Sequence, residues 1–259
     1  MPSSNVVWDI DGSVGTLTFN RPHARNALTW DMYEALVEAC ERVDATPALR
    51  VLVIRGADGA FAAGTDIAQF KDFRTGEDGL VYERRLDAVL DRLERVTRPT
   101  LAAVDGPAVG GGCAIALACD LRICTERARF GVPVARTLGN CLSAANVARL
   151  VDLVGSSRVR DLLFTGRLLS AVEAQAWGLT SRIVPGEIFD DEVRVFAREL
   201  TARASSTISA TKALLQHVRD HRRPPPADAI IARCYSSDDF REGVAAFLEG
   251  RKPGWRQEE

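Results

Sequence analysis

Pro107-Ala-Val-Gly-Gly-Gly-Cys-Ala-Ile-Ala-Leu-Ala-Cys-Asp120 decides how this chain folds. It reads as the end of a strand, a turn at Gly110-Gly111-Gly112, and a helix of small residues from about Cys113 to Ala118. Glycines turn the backbone tightly and let another molecule approach it with no Cβ in the way. The free N–H groups and positive dipole at a helix start suit an oxygen that carries or gains negative charge. The same residues also serve simply to pack a helix against a sheet. Working outward, Phe61-Ala-Ala-Gly-Thr-Asp66 repeats the arrangement: it follows the apolar strand Val51–Ile54 and feeds a short helix. Two such turns can aim two N–H donors at one carbonyl oxygen, although spacing alone does not establish that they meet.

Composition narrows the class. The chain has 259 residues, a net charge of −2, 46% apolar and 26% charged residues. That is an ordinary globular protein, long enough for a sizeable core. Nothing in the balance points to nucleic acid, and no apolar run reaches the length of a membrane span. The start, Met-Pro-Ser-Ser-Asn-Val-Val, lacks a basic segment followed by an apolar one, so no secretory leader is expected. Cys40, Cys113, Cys119, Cys124, Cys141 and Cys234 show no metal-like spacing. They read as reduced thiols in a cytoplasmic protein, with no metal site expected.

In chain order, Val6–Asp11 and Val14–Phe19 flank Gly12-Ser13 as a hairpin. Thr29 is expected to cap a helix whose buried face carries Met32, Leu36, Ala39, Cys40 and Val43. Lys71–Gly79 reads as a charged, irregular loop or lid. Leu86, Val89, Leu90, Leu93 and Val96 mark a long amphipathic helix that stops before Pro99. Thr100–Val104 and Leu121–Cys124 are strands, giving a repeated strand, strand, helix pattern in an α/β chain. Beyond it, Ser170-Ala-Val-Glu173 is a capping box. Helices follow near Phe189–Ala202, Ser206–Arg219, Ala229–Ser236 and Asp239–Glu249, interrupted by the stiff Arg222-Arg-Pro-Pro-Pro226. This helical tail must pack on the body or on a neighbouring subunit.

Taken together these residues resemble the crotonase (enoyl-CoA hydratase/isomerase) superfamily over nearly the whole chain. The resemblance is carried by Asn20-Arg-Pro…Asn26-Ala-Leu28, Phe61-Ala-Ala-Gly-Thr-Asp-Ile67, Ala103-Val-Asp-Gly-Pro-Ala-Val-Gly-Gly-Gly-Cys113, Cys119-Asp120 and Phe130-Gly131. Leu163-Phe-Thr-Gly166, Ala171…Ala174…Ala176-Trp-Gly-Leu179 and Glu242-Gly…Phe247-Leu-Glu-Gly-Arg-Lys-Pro253 extend it. It implies a crotonase-type α/β spiral of ββα turns over residues 1–200 holding an acyl-CoA pocket. Residues 201–259 then form a C-terminal helical trimerisation region, giving a homotrimer or a dimer of trimers. It implies an oxyanion hole at the backbone N–H groups of Thr65 and Gly111. The adenine and pantetheine would pass Ala24, Arg25, Ala27, Ala63, Asp66 and Ile67, with Val109, Gly110 and Leu138 along the pocket and Lys252 reaching a neighbour's CoA. Arg25 suits CoA phosphates by its guanidinium geometry. A lysine common in hydratases is Ala68 here, with Lys71 nearby. Coenzyme A enters as part of the thioester substrate, and no permanently bound cofactor is implied.

The chain departs from the family pattern where acids are expected. The two glutamates of hydratases fall at Ala114 and Val134. Water addition needs one group to activate water and one to protonate the α-carbon, each supplying roughly 10²–10⁴-fold, so ordinary hydratase activity is expected to be weak. Replacement candidates lie in Arg136–Ser143: Asn140 can orient a water or cap a helix, Cys141 lacks a nearby histidine to activate it, and Ser143 is the third. Asp72, Asp78 and Glu83 read as solvated charge or as bases on the loop; Asp66 and Asp120 read as helix caps. His23, His217 and His221 are assigned no chemistry. Three functions stay open: a hydratase- or isomerase-like enolate enzyme, another CoA-thioester chemistry such as hydrolysis or decarboxylation through the 136–143 loop, and a non-catalytic acyl-CoA binder. The wall residues Val109, Val132, Val134 and Leu138 favour an apolar acyl group.

Overall fold

The computed structural model describes residues 5–222 and 224–255; the first residues of the N-terminal stretch and Arg223 of the proline linker lie outside them. The hairpin is present as β1 (Val6–Asp11) paired antiparallel with β2 (Val14–Phe19). Helix α1 (Trp30–Ala45) follows and buries the stripe read from the sequence, with Tyr33 added. Then come β3 (Val51–Gly56), α2 (Gly76–Glu94), β4 (Thr100–Val104), β5 (Pro107–Val109), α3 (Gly111–Ala118), β6 (Leu121–Thr125) and β7 (Arg129–Gly131). The later part runs α4 (Val134–Thr137), α5 (Ala144–Val154), α6 (Ser156–Thr165), β8 (Leu169–Ser170), α7 (Ala171–Ala176) and β9 (Arg182–Val184). It closes with α8 (Phe189–Thr201), α9 (Ser205–Arg222), α10 (Asp228–Tyr235) and α11 (Asp238–Leu248).

Six strands form the main sheet in the order β1-β2-β3-β4-β6-β9, parallel from β2 onward. Both faces are covered, which is why β3 reads as an unbroken apolar run. Val51 and Val53 join Leu101, Ile123 and the α8 residues Phe189, Val193 and Phe196. Leu52 and Ile54 face α1, α2 and α3 on the other side. A second layer consists of β5-β7-β8, extended by the single bridges Leu28–Thr65 and Ala62–Ala108. At Gly106 (φ 70°) the chain leaves β4 for β5, and a Cβ there would sit 2.0 Å from the Gly59 carbonyl oxygen. Successive ββα turns thus stack one second-layer segment on the next.

Three expectations are corrected. Lys71–Gly79 is not irregular throughout: α2 starts at Gly76, where the Asp78 carboxylate accepts the Thr75 amide at 2.8 Å. Asp78 is therefore a cap rather than free charge, and the backbone hydrogen bonds from Arg74 and Thr75 hold its carboxyl below the usual range. Asp120 caps no helix; it accepts from the Thr100 amide and hydroxyl and from Lys212 Nζ. Thr29 does sit at the N-cap of α1, but its hydroxyl bonds the Asp31 carboxylate instead of a backbone N–H.

The C-terminal helices fold back onto the body. Gly76 and Gly79 make this possible: a Cβ at Gly76 would lie 2.3 Å from the Ala232 carbonyl oxygen, and one at Gly79 would lie 2.1 Å from the Tyr235 ring. Helix α10 therefore packs directly on α2.

Candidate active site

The two glycine turns meet. Phe61 and Ala62 N–H both donate to the Pro107 carbonyl, and Val109 N–H donates to Ala62 O at 2.9 Å. Gly64 (φ 111°) and Gly110 (φ 53°) occupy backbone conformations that side chains resist, and a Cβ on Gly110 would lie 3.5 Å from Gly64 Cα. A Cβ on Gly112 would lie 2.3 Å from Ala62 O, so α3 is pressed onto the first turn. The loop before the second bridge is held from below by Asn26, fully buried, which accepts the Arg21 amide and donates to Ala57 O and Ala60 O. That account explains the spacing of Arg21, Asn26 and Leu28 in purely structural terms.

A cavity of about 680 Å3 opens over this junction. Thr65 and Gly111 both line it, and neither amide donates to another group among the described residues. A Cβ built on Gly111 would stand 3.6 Å from Thr65 N, so the two donors are neighbours. Behind them the Thr65 hydroxyl joins Tyr33 and Tyr82 hydroxyls, each at 2.8 Å. Burial pushes both phenols well above their ordinary range, so they stay neutral hydrogen-bonding groups.

Ala24, Arg25, Ala27, Ala63, Asp66, Ile67, Val109, Gly110 and Leu138 all lie on the cavity wall. Arg25 is exposed at the mouth, as is His23. Asp66 caps the short helical turn Ile67–Phe70 through Ala68 N–H and pairs with Arg21 at 2.7 Å. Ala114 and Val134 face the same cavity, presenting a methyl and an isopropyl group where acids were expected. Lys252 is exposed and stands apart from the cavity lining, as does Lys71.

The 136–143 loop divides. Asn140 lines the cavity, donating to Tyr235 Oη at 3.1 Å, and its own carbonyl oxygen is buried without a partner among the described residues. Ser143 does not line it: the side chain caps α5 and donates to Asp87 at 2.8 Å. Cys141 lies against Cys234, and that contact with burial drives its thiol upward, away from a reactive thiolate.

Glu83 overturns its reading as solvated charge. It is 2% exposed, lines the cavity, and is held by Tyr235 Oη at 2.7 Å on one oxygen and the Ser143 amide at 2.9 Å on the other. Burial lifts its carboxyl to about 7, against those two hydrogen bonds, and repulsion from Asp87 adds to the rise. Tyr82, Tyr235, Arg21 and Phe247 were missed as well. The signal for Glu83 lay in the α2 stripe: it sits four residues after Gly79 and three before Leu86, both on the buried face. Among the described residues no cluster of three or more His, Cys, Asp or Glu is arranged to hold a metal ion.

The enoyl-CoA hydratase/isomerase family model matches residues 9–258. The chain belongs to that family, within the crotonase superfamily. Its relatives include an enoyl-CoA hydratase of Mycobacterium tuberculosis, 36% identical over 93% of this chain and 92% of the other. A crotonyl-CoA hydratase of Syntrophomonas wolfei is 33% identical over 97% and 98%. Among solved structures, methylmalonyl-CoA decarboxylase in complex with 2-nitronate-propionyl-CoA superposes with a TM-score of 0.89 at 25% identity, covering 98% of this chain and 99% of that one. The two-layer stack of ββα turns is thus the crotonase fold, and the C-terminal helices belong to it. No helix among the described residues is long and apolar enough to cross a membrane.

Proposed function

We propose that the protein takes an acyl-CoA thioester and stabilises the enolate formed from it, with the thioester oxygen between the amides of Thr65 and Gly111. The observation that carries this reading is the pair of uncommitted, adjacent N–H groups at the floor of one large cavity. Donors fixed in advance toward a developing oxyanion are worth about 10²–10³-fold each. The CoA portion passes Ala24, Arg25, Ala27, Ala63, Asp66 and Ile67 at the mouth, and Val109, Gly110 and Leu138 flank the thioester and acyl group. The apolar wall of Val132, Val134 and Leu138 suits an uncharged acyl chain. With Ala114 and Val134 in place of acids, hydration is slow, and chemistry that only makes and quenches an enolate is favoured. Cys141 and Ser143 stay outside the chemistry.

Decarboxylation of a malonyl-type thioester is a second reading, supported by the 0.89 TM-score of the decarboxylase. That reaction reaches the enolate by losing carbon dioxide and needs no base. Glu83 weighs against it, because a proton-exchanging carboxyl has no task in that reaction and its ionised form repels a substrate carboxylate. The remaining proposal concerns assembly: a homotrimer or dimer of trimers in the cytoplasm. Exposed Leu214, Leu215 and Val218 on α9 and Phe164 on α6 give such contacts apolar surface, and the six free thiols suit a reducing compartment.

The test is a panel of enoyl-, β-keto- and malonyl-CoA esters followed by mass spectrometry. Turnover of an uncharged enoyl or acyl ester is expected. Release of carbon dioxide from the malonyl ester alone would select the second reading, and binding with no product across the panel would leave a carrier protein.

A further inference from the structure

Resting on the thioester-binding reading above, we infer that Glu83 is the catalytic proton carrier of this cavity, serving in place of both vacated acid positions, with Tyr235 as its positioning residue. The substrate class follows from there being one carrier rather than two: an uncharged acyl thioester from which one proton is removed and to which one is returned.

The geometry is specific. Glu83 stands on the cavity-facing side of α2, between Tyr82 and Leu86, which line the same space. Its two oxygens are each held once, by Tyr235 Oη and by the Ser143 amide. A carboxylate oxygen has two lone-pair sites, so each keeps one for a proton. Tyr235 is itself placed by the missing side chain at Gly79, one helical turn before Glu83, and its oxygen accepts from Asn140 Nδ2. Three separate segments, α2, α10 and the 140–143 loop, therefore converge on one carboxylate. On its far side Glu83 also borders a second pocket of about 540 Å3, between α2, the start of α5 and the 224–228 segment, giving the proton a way to exchange with water.

In the step, a Glu83 oxygen takes a proton from the α-carbon. The C–H pair moves into the carbon–carbon bond, the carbonyl π pair moves onto the thioester oxygen, and that oxygen rests on the Thr65 and Gly111 amides. The proton on Glu83 then returns to the α-carbon, or to the γ-carbon when the acyl group carries a β,γ double bond. No oxidant or further reactant enters. A carboxyl lifted toward neutrality by burial holds and releases a proton readily at cellular pH. The titratable groups that face it are Asp87 and Tyr82 on its own helix, Tyr33 on α1, Cys141 in the 140–143 loop, and Tyr235 and Cys234 on α10, with the Ser143 amide beside them.

The experiment follows α-proton exchange of butyryl-CoA in heavy water by mass spectrometry, beside the spectral shift of a bound cinnamoyl-CoA that reports carbonyl polarisation. The wild-type protein is expected to do both. Glu83→Gln is expected to keep the shift and lose exchange by about 10²–10⁴-fold. Tyr235→Phe is expected to weaken exchange, because the carboxylate is no longer aimed, and to move the acid limb of its pH profile upward, since a hydrogen bond that favours the charged carboxylate is gone. Glu83→Gln losing clearly less than about 10²-fold in exchange, a wild type that polarises the probe without exchanging, or an unmoved pH limb in Tyr235→Phe each overturns the assignment; about 10²-fold is the least that a positioned base supplies. Absence of the spectral shift in the wild type overturns the thioester-binding reading instead, and the assignment with it. Should Glu83→Gln fail to fold, Glu83→Asp and the Tyr235→Phe profile decide.

Discussion

Replacing Glu83 by Gln should change how the protein's stability depends on pH, and by an amount the structure sets. The carboxyl is 2% exposed and titrates near 7 rather than at its ordinary 4.5, chiefly because burial disfavours the charge. The unfolded chain returns it to the ordinary value. Between about pH 4.5 and 7 the folded protein therefore holds this proton more tightly than the unfolded one. Stability contributed by the neutral carboxyl is complete below pH 4.5 and is lost as pH rises through 7. At 1.36 kcal/mol per pH unit the loss comes to about 3 kcal/mol. The Tyr235 hydroxyl and Ser143 amide already limit it by stabilising the ion, and Asp87 and Cys234 increase it. Glutamine at this position has no proton to lose and shows no such slope. The assay is urea unfolding of both proteins at steps from pH 4.5 to 8, at one protein concentration because assembly shifts apparent stability. The wild type should lose about 3 kcal/mol relative to the variant across that range, or about 6–12 °C in Tm for a chain of this size. A difference between the two proteins that stays constant over the window would mean that Glu83 titrates alike in both states. The claim of a desolvated carboxyl would then be wrong.

Two further outcomes follow from the site. Ala114→Glu with Val134→Glu should raise hydration of crotonyl-CoA by about 10²-fold or more; a folded variant that binds substrate and shows no gain would place those positions wrongly on the wall. Thr65→Val keeps the main-chain donor but leaves Tyr33 and Tyr82 without their shared partner. It should cost about 1–3 kcal/mol by urea unfolding while turnover stays within about threefold, against the 10²–10³-fold expected for loss of an oxyanion donor.

Much of the fold was legible because it rests on period and punctuation. The β3 run of four apolar residues, the α1 stripe and the Ser170–Glu173 box are local signals, and each appears where the residues placed it. The meeting of the two glycine turns was not legible, since it depends on the Gly106 corner and on Ala62 and Val109 sharing a hydrogen bond across 47 residues of chain. The start of α2 was hidden by composition. Gly76 and Gly79 weaken a helix by about 1 kcal/mol each in isolation, so their segment reads as loop until α10 is seen to need that surface. The same contact hid Glu83: a charged residue among charged neighbours reads as solvated unless the helix covering it is known.

The distribution of roles in this cavity has a physical logic. On the proposed reading, a main-chain oxyanion site survives almost any side-chain change, because the N–H groups of Thr65 and Gly111 are fixed by the turns rather than by residue type. Proton transfer has no such protection: it needs a carboxylate, desolvated enough to hold a proton near neutral pH and hydrogen-bonded enough to stay in place. Ala114 and Val134 show the wall at α3 and α4 without that equipment. The α2 wall has it, because Gly79 admits the Tyr235 ring and the Ser143 amide closes the other oxygen. The covering helix belongs to the C-terminal region, so under the proposed assignment Tyr235 ties the tail of the chain to the chemistry of its core. A truncation that left the spiral intact would still remove the group that aims the carboxylate.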